Sequence, residues 1–127
     1  MRKLVLFTAL LAAPAFADGG ISVKLPDPAQ LAAAVSTDFL MELVQANVVG
    51  MNCAGYSLSQ GEWTLITQTA DQVADALRIG TGAYDERFYG PAFASLDKPG
   101  TCEADGPKIA PLIKRLKAMG GGTDPVG

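Results

Sequence analysis

The sequence contains no histidine and only two cysteines among its 127 residues. Without histidine, neither a catalytic triad with a histidine base nor a haem attached through Cys-x-x-Cys-His can form. Two cysteines are also too few for the four-ligand zinc sites that stabilise small domains. We therefore expect no metal ion, no cofactor and no catalytic residue of these kinds.

Positive charge is also scarce, since 10 lysines and arginines face 13 acidic residues and the net charge is −3. Nucleic-acid binding needs clustered positive charge to neutralise phosphates, so nucleic acid is not an expected partner. After residue 17 the chain lacks an apolar run of the roughly 20 residues that cross a bilayer, and no stable membrane insertion is expected. The length suits a single domain.

The first 17 residues have the pattern of a secretory signal peptide. Arg2 and Lys3 precede an apolar stretch from Leu4 to Ala13, and Ala15-Phe16-Ala17 is a small-x-small cleavage site. The alternative is that this stretch forms the first helix of the domain. The pattern favours a cleaved signal peptide at residues 1–17, a single helical domain at residues 18–127 and a periplasmic location.

The two cysteines, Cys53 and Cys102, are predicted to form a disulfide, because an oxidising compartment favours pairing of two thiols in a small domain. Closing a loop of about 50 residues would stabilise the fold by roughly 4 kcal/mol in the chain-entropy model. A redox-active pair is the alternative, but such pairs usually lie close in sequence. A structural bridge is therefore favoured.

The first amphipathic segment has a clear start. Asp27 is a suitable N-cap and Pro28 suits the first helical position. Apolar residues then recur every four residues, at Leu31, Val35, Phe39 and Leu43. The pattern predicts one helix that ends near Val49, with Gly50 placed to terminate it.

The second amphipathic segment begins with a Ser-x-x-Glu capping box at Ser59 and Glu62. Its predicted apolar stripe consists of Trp63, Ile66, Ala70, Val73, Ala74 and Leu77. Thr64 is assigned to the opposite, polar face, together with Asp71. Gly80 is predicted to stop this helix.

Two further helices are predicted from the second half of the chain. A short helix over residues 84–89 should break at Gly90-Pro91, because proline disrupts helices. The last helix should begin near Pro107 with a bend, or at Ala110, and carry its apolar residues on one face.

No segment alternates with a period of two, and β-branched residues are not clustered, so no sheet is expected. The prediction is an all-α fold, namely a small disulfide-linked helical bundle of three main helices plus one or two short ones. The chain ends, at residues 18–26 and 123–127, are expected to be mobile.

Aromatic residues are concentrated shortly before the second cysteine. They are Tyr84, Phe88, Tyr89 and Phe93, and Trp63 is the single tryptophan. In one interpretation they pack over the open end of the bundle as part of the core. In the other, Tyr84, Tyr89 and Phe93 form an exposed anchor for a protein partner, because aromatic residues dominate interface hot spots.

Charge is distributed unevenly along the chain. Seven acidic residues and a single base, Arg78, occur between Asp38 and Glu86, whereas the segment Lys108–Lys117 has four bases and no acid. This pattern predicts an acidic side and a basic patch, which could steer a partner or align copies head to tail. Alternatively, the opposite charges pair within the fold.

Two pairs of carboxylates are the remaining candidates for chemistry. Asp85 and Glu86 are neighbours, so in a helix their side chains point about 100° apart and do not face each other across a cleft. Asp71 and Asp75 lie one turn apart and supply too few oxygens for calcium. Both pairs are interpreted as solvated surface, and an enzyme is not predicted.

The segment Met51-Asn52-Cys53-Ala54-Gly55-Tyr56 follows an amphipathic helix in a short chain with the pattern of a signal peptide. It resembles uncharacterised small exported alphaproteobacterial proteins that have an Asn-Cys after their first helix. That group has no assigned activity, so the resemblance implies only export and a helical architecture. In outline the chain is also similar to small periplasmic acid-stress chaperones, which are helical and contain one disulfide.

The first functional hypothesis is a periplasmic, non-catalytic interaction module, such as an accessory subunit, an inhibitor or an immunity-type protein. It rests on the expected disulfide-linked helical body and the aromatic cluster. One alternative is a small-molecule or lipid carrier with a cavity lined by Trp63, Phe39 and Phe88. The other is an acid-stress chaperone that exposes its core at low pH.

Overall fold

A computed structural model describes residues 20–127, so the predicted signal peptide at residues 1–17 lies outside the described residues. In chain order the helices are α1 (Pro28–Ala34), α2 (Thr37–Asn52), α3 (Gln60–Ala76), α4 (Thr81–Tyr84), α5 (Gly90–Ser95), α6 (Thr101–Asp105) and α7 (Ile109–Ala118). A π-helical turn joins α4 to α5, and a 3₁₀ turn joins α6 to α7. The predicted all-α, disulfide-linked bundle is confirmed.

Helix α2 is the central element of the bundle, because α3, α7 and the helical segments between residues 85 and 108 all pack against it. Gly50 lies inside α2 instead of after it, so the prediction that it ends the helix is wrong. The side chain of Leu58 packs against Gly50, where a Cβ atom would collide with it. The glycine therefore serves close packing.

The predicted first helix is two helices, α1 and α2. Val35 and Ser36 have extended backbone conformations, and α2 begins after Ser36. The hydroxyl oxygen of Ser36 accepts a hydrogen bond of 3.0 Å from the backbone N–H of Phe39. Asp27, by contrast, makes no capping bond to α1. A serine N-cap satisfies a backbone donor that has no partner within the helix, and this favours a new start at Ser36.

Helix α3 begins at the predicted capping box. The backbone N–H of Glu62 donates to the Ser59 hydroxyl at 3.1 Å, and the Glu62 carboxylate accepts from the Ser59 N–H at 2.8 Å. The predicted polar face is partly wrong, because Thr64 is buried. Its hydroxyl donates to the Gln60 carbonyl at 2.8 Å. Thr69 is buried too, and its hydroxyl has no hydrogen-bond partner.

Helices α3 and α7 end with the same backbone geometry but with different residues. The first residue beyond each C-cap is left-handed, with φ of 57° at Arg78 and 104° at Gly120. The next N–H, that of Ile79 or Gly121, donates back to the last turn of its helix at 3.0 Å. Glycine is the usual residue here because it lacks a Cβ atom. The stop of α3 is therefore at Arg78, and Gly80 instead precedes α4.

Residues 81–95 form one continuous helical segment, so the predicted break at Gly90-Pro91 is wrong. Between Asp85 and Tyr89 the helix widens into a π turn, and the N–H of Gly90 donates to the Asp85 carbonyl five residues earlier. In a regular α-helix a proline ring clashes with the carbonyl four residues before it. The wider turn relieves this clash and lets the helix continue through Pro91.

The two prolines at the start of the last helix occupy positions that a helix tolerates. Pro107 lies in the 3₁₀ turn before α7, and Pro111 lies in the first turn of α7. A backbone N–H in that first turn would have no partner within the helix, so the missing donor costs little. The apolar face of α7 is buried as predicted, through Ile109, Leu112, Ile113 and Leu116.

The predicted disulfide is confirmed. Cys53 directly follows α2 and Cys102 lies in the first turn of α6, with their Cα atoms 5.5 Å apart. Next to it, the Tyr56 ring packs onto Gly106, where a Cβ atom would collide with the ring. The covalent bond and this contact both fasten the loop after α2 to the segment before α7.

The two ends of the described chain are hydrogen-bonded to each other. The Ser22 carbonyl accepts a hydrogen bond from the N–H of Val126, and the Lys24 carbonyl accepts one from Gly122, each at 2.8 Å. The carbonyl of Thr123 lies against Gly61 in the first turn of α3, where a Cβ atom would collide with it. The C-terminal residues therefore bridge the N-terminal segment and α3.

Candidate functional site

Three aromatic rings form a row on residues 81–95, and we call Tyr84, Tyr89 and Phe93 the aromatic ledge. The ring centroids of Tyr84 and Tyr89 are 5.2 Å apart, and those of Tyr89 and Phe93 are 6.4 Å apart. Phe93 is 53% exposed, and the tyrosines are partly buried. Phe88 is only 4% exposed and packs edge-on against Tyr84. The cluster is therefore divided between the core and the surface.

The π turn places the ledge. In a regular α-helix, residues three or four positions apart share a face, which pairs Tyr84 with Phe88. In a π turn the bonding extends to five residues. Tyr84 is accordingly closer to Tyr89, at 5.2 Å, than to Phe88, at 6.3 Å. A search for α-helical periodicity misses this pairing, because the wider turn has no sequence pattern of its own.

The two tyrosines of the ledge are anchored at their hydroxyls. Tyr84 donates to the Asp71 carboxylate of α3 at 3.2 Å, and the Asn47 amide of α2 donates to the Tyr89 hydroxyl at 3.1 Å. Burial raises the pKa of Tyr84, and the neighbouring Tyr89 and Asp71 raise it further, so its hydroxyl remains a donor. Burial also raises the pKa of Asp71, against the effect of the bond from Tyr84. Two core helices therefore orient the rings.

Trp63, the remaining predicted binding residue, lies on a different part of the surface. It is partly buried near the start of α3 and lines an open groove of about 480 Å³ with Met51 and Leu58. Met51 is 62% exposed. Within the described residues, the Trp63 ring makes no ring contact with the ledge. Trp63 is therefore part of a separate apolar surface.

The residues suggested for a carrier cavity occupy different environments. Phe39 and Phe88 are buried in the core, whereas Trp63 is at the surface. The grooves described here, the one beside Trp63 and the one between α2 and α7, are lined by neither phenylalanine.

A second candidate site is a groove of about 280 Å³ between α2 and the segment α6–α7, which we call the acidic groove. Met41 and Ala46 of α2 and Leu112 of α7 contribute its apolar lining. Its carboxylates are Asp38 and Glu42 from α2 and Asp105 from α6, and Lys108 is its single base. The spacing of Asp38 and Glu42 puts them on one helix face, but no local pattern indicates that Asp105 lies opposite.

The charges around the acidic groove are paired only in part. Arg115 donates to Glu42 at 2.6 Å, and Lys108 donates to Asp105 at 3.0 Å. Asp38 has neither an ion pair nor a side-chain hydrogen bond to any other described residue. The acidic and basic segments of the sequence therefore meet here, and of the three carboxylates that line the groove Asp38 alone has no cationic partner among the described residues.

Within residues 20–127, no group of three or more cysteine or acidic side chains is placed to hold a metal ion. Over the same residues, none of the helices has the length and apolar character needed to cross a membrane. No family model, curated protein or solved structure matches the chain. The function is therefore argued from the geometry of its own surfaces.

Proposed function

We propose that this chain is a non-catalytic, periplasmic protein-binding module and that the aromatic ledge is its binding surface. The observation that carries the proposal is the half-exposed Phe93 ring, which lies against Tyr89, which in turn contacts Tyr84. The hydroxyls of the two tyrosines are anchored to α2 and α3. Rigid aromatic side chains that are oriented before binding lose little conformational entropy in the complex. Such residues carry much of the binding energy at protein interfaces.

The ledge suits a partner that offers an apolar pocket. Phe93 presents an exposed ring, Tyr89 contacts that ring, and both tyrosines expose part of their own surface. Interface hot spots typically pair a projecting aromatic side chain with a pocket that excludes water around it. An accessory subunit, an inhibitor or an immunity-type protein would use a surface of this kind.

The periplasmic location is supported by the disulfide, because such bonds persist in oxidising compartments, and by the signal-peptide pattern of residues 1–17. N-terminal sequencing of the protein from a periplasmic fraction should start at Asp18. Thiol titration under denaturing conditions should find no free sulfhydryl. A cytosolic chain that retains residues 1–17 would contradict the proposed location.

Site-specific photo-crosslinking in the source organism tests the binding surface. A photoreactive phenylalanine analogue at position 93 should capture one discrete protein partner. The matched control is the same analogue at Val126, which is 50% exposed and lies in the C-terminal segment, outside the ledge. Equal capture at both positions, or no capture at position 93 under any growth condition, would contradict the proposal.

Binding measurements with the captured partner give a second test. Phe93→Ala should lower the affinity at least about tenfold, which corresponds to about 1.4 kcal/mol. Met51→Ala is the control, since Met51 is similarly exposed but lies beside Trp63. The ledge would not be the binding surface if both substitutions had the same effect.

A further inference from the structure

The acidic groove has the shape and charge to hold one type of chemical group. We propose that it binds a lysine or arginine side chain of the protein partner, that is, an aliphatic stem ending in a cation. This inference rests on the proposed function for the source of the side chain, but the groove itself can be tested without the partner.

The size of the groove selects for a single long side chain. Its volume of about 280 Å³ lies at the lower end of the range for small-molecule sites. Met41, Ala46 and Leu112 form an apolar lining along which an aliphatic stem can lie. Methionine is flexible and adapts to the shape of a ligand. Lysine and arginine bury their stems against such surfaces while their charged ends remain solvated.

The charges of the groove select for a cation and orient it. Asp38 has no cationic partner among the described residues, whereas Glu42, one turn further along the same helix face, is already paired with Arg115. Lys108 lies in the wall opposite α2, where Asp105 already neutralises it. An incoming cation is therefore attracted towards Asp38 and repelled by Lys108. Exposed ion pairs contribute at most about 1 kcal/mol, so the apolar lining must supply the rest of the affinity.

The groove adjoins the helix that carries Phe93. The side-chain amide of Gln45, which lines the groove, donates to the Ser95 hydroxyl at 2.9 Å and to the Asp105 carboxylate at 3.0 Å. Ser95 ends α5, two residues after Phe93. One side chain therefore connects the edge of the groove to the ledge helix.

Methionine methyl NMR offers a direct test, because the described residues contain a reporter in the groove and two outside it. Met41 lines the groove, Met51 is exposed beside Trp63, and Met119 is buried. Titration with hexylammonium should shift the Met41 methyl signal along a saturable binding curve. We expect half-saturation at a ligand concentration of about 1 mM, which is the expected Kd. Hexanol, the uncharged analogue, should bind up to about fivefold more weakly, since one exposed ion pair accounts for at most that factor.

The controls decide whether the site is specific. Asp38→Asn should weaken hexylammonium binding about threefold, whereas Asp124→Asn, an exposed acid near the C-terminus, should not change it. Added salt should weaken the wild-type interaction, because exposed charges are screened. Equal responses to hexylammonium and hexanol, an equal shift of Met51, or no shift of Met41 would each overturn the proposal.

The origin of the cation is tested through the crosslink at position 93. If the partner supplies the basic side chain, Asp38→Asn lowers the crosslinking yield there. If Asp38→Asn leaves the crosslinking yield at position 93 unchanged while hexylammonium still binds at Met41, the cation does not come from the protein partner. That result would overturn the proposed partner side chain and favour a free amine as the ligand. Failure of the crosslink itself contradicts the proposed function but leaves the Met41 result intact, so the two failures are distinguishable.

Discussion

Helix α2 packs against α3 through buried apolar side chains, whereas its contact with the segment 81–105 combines the buried Phe88 and Ala92 with side-chain hydrogen bonds. In the core that α2 shares with α3, side chains such as Leu43 and Leu65 are fully buried. Towards the segment 81–105, side-chain hydrogen bonds from Asn47 and Gln45 make direct connections. Apolar burial stabilises without directional preference, whereas hydrogen bonds require a defined orientation. The apolar contacts of α2 therefore supply most of the stability, and the hydrogen bonds from Asn47 and Gln45 position the candidate binding surfaces.

The largest expected effect comes from the covalent link between α2 and the segment before α7. Replacing both Cys53 and Cys102 with serine should lower the free energy of unfolding by about 4 kcal/mol, because the open loop gains conformational entropy in the unfolded state. Urea unfolding measures the loss, and reduction of the wild-type protein should reproduce it. A loss below about 1 kcal/mol would show that the noncovalent contacts alone fasten this segment.

The apolar contact is tested by Leu43→Ala. Leu43 is fully buried, so its truncation should cost about 3 kcal/mol of unfolding free energy through lost burial and a residual cavity. Below its thermal transition, the variant should still capture the partner through position 93. Intact stability combined with lost capture would reverse the roles that we assign to the two contacts.

The polar contact is tested by Asn47→Ala, which removes the hydrogen bond to Tyr89. The expected cost in unfolding free energy is only about 1 kcal/mol. Because Tyr89 supports Phe93, the affinity for the partner should nevertheless fall severalfold. Asn52→Ala is the matched control, since Asn52 donates within α2 to the Val48 carbonyl at 2.7 Å. Equal affinities for the two variants would argue against an orienting role of Asn47.

Thr69→Val tests the one buried side-chain oxygen of the described residues that lacks a hydrogen bond. Its replacement by a methyl group of similar size should raise the free energy of unfolding by about 1 kcal/mol. Thermal unfolding measures the gain. Thr64→Val should give no such gain, because the Thr64 hydroxyl donates to the Gln60 carbonyl. A destabilised Thr69→Val protein would indicate that the Thr69 hydroxyl has a partner in solution.

The smallest effect concerns Asp71, which accepts the hydrogen bond from Tyr84. Burial raises the pKa of Asp71 in the folded protein, so protonation favours the folded state. Its contribution to stability is fully present below the ordinary pKa of 3.8 and is lost as the pH rises through the raised value. Compared with Asp71→Asn, the wild type should lose more stability over that range in urea titrations. If the stability of the wild type and of Asp71→Asn changed with pH in the same way, the raised pKa of Asp71 would be contradicted.

Several features follow from short stretches of sequence. Ser59 and Glu62 satisfy each other's backbone donors within four residues, so the start of α3 is predictable without the rest of the fold. Cys53 and Cys102 have no other possible intrachain partner, so their pairing requires only an oxidising environment. By contrast, the apolar periodicity around Ser36 is compatible with one helix or two. The hydrogen bond from the Phe39 N–H to the Ser36 hydroxyl shows that two helices form and that the second begins after Ser36.

The candidate surfaces follow less directly from the sequence. The aromatic residues are recognisable as a cluster, but the division between buried Phe88 and exposed Phe93 depends on the π turn. The acidic groove is not recognisable, because Asp38 and Asp105 are far apart in the chain and meet only when α6 packs beside α2.

Local patterns are sufficient to predict the helical class, the capping box and the disulfide. The interactions that stabilise these features arise within a few residues or from a unique pair of thiols. Long-range packing decides the rest: which rings reach the surface, how the chain ends pair, and which carboxylates form ion pairs with a base. These outcomes depend on contacts between distant segments, whose energies are absent from any short stretch of the chain.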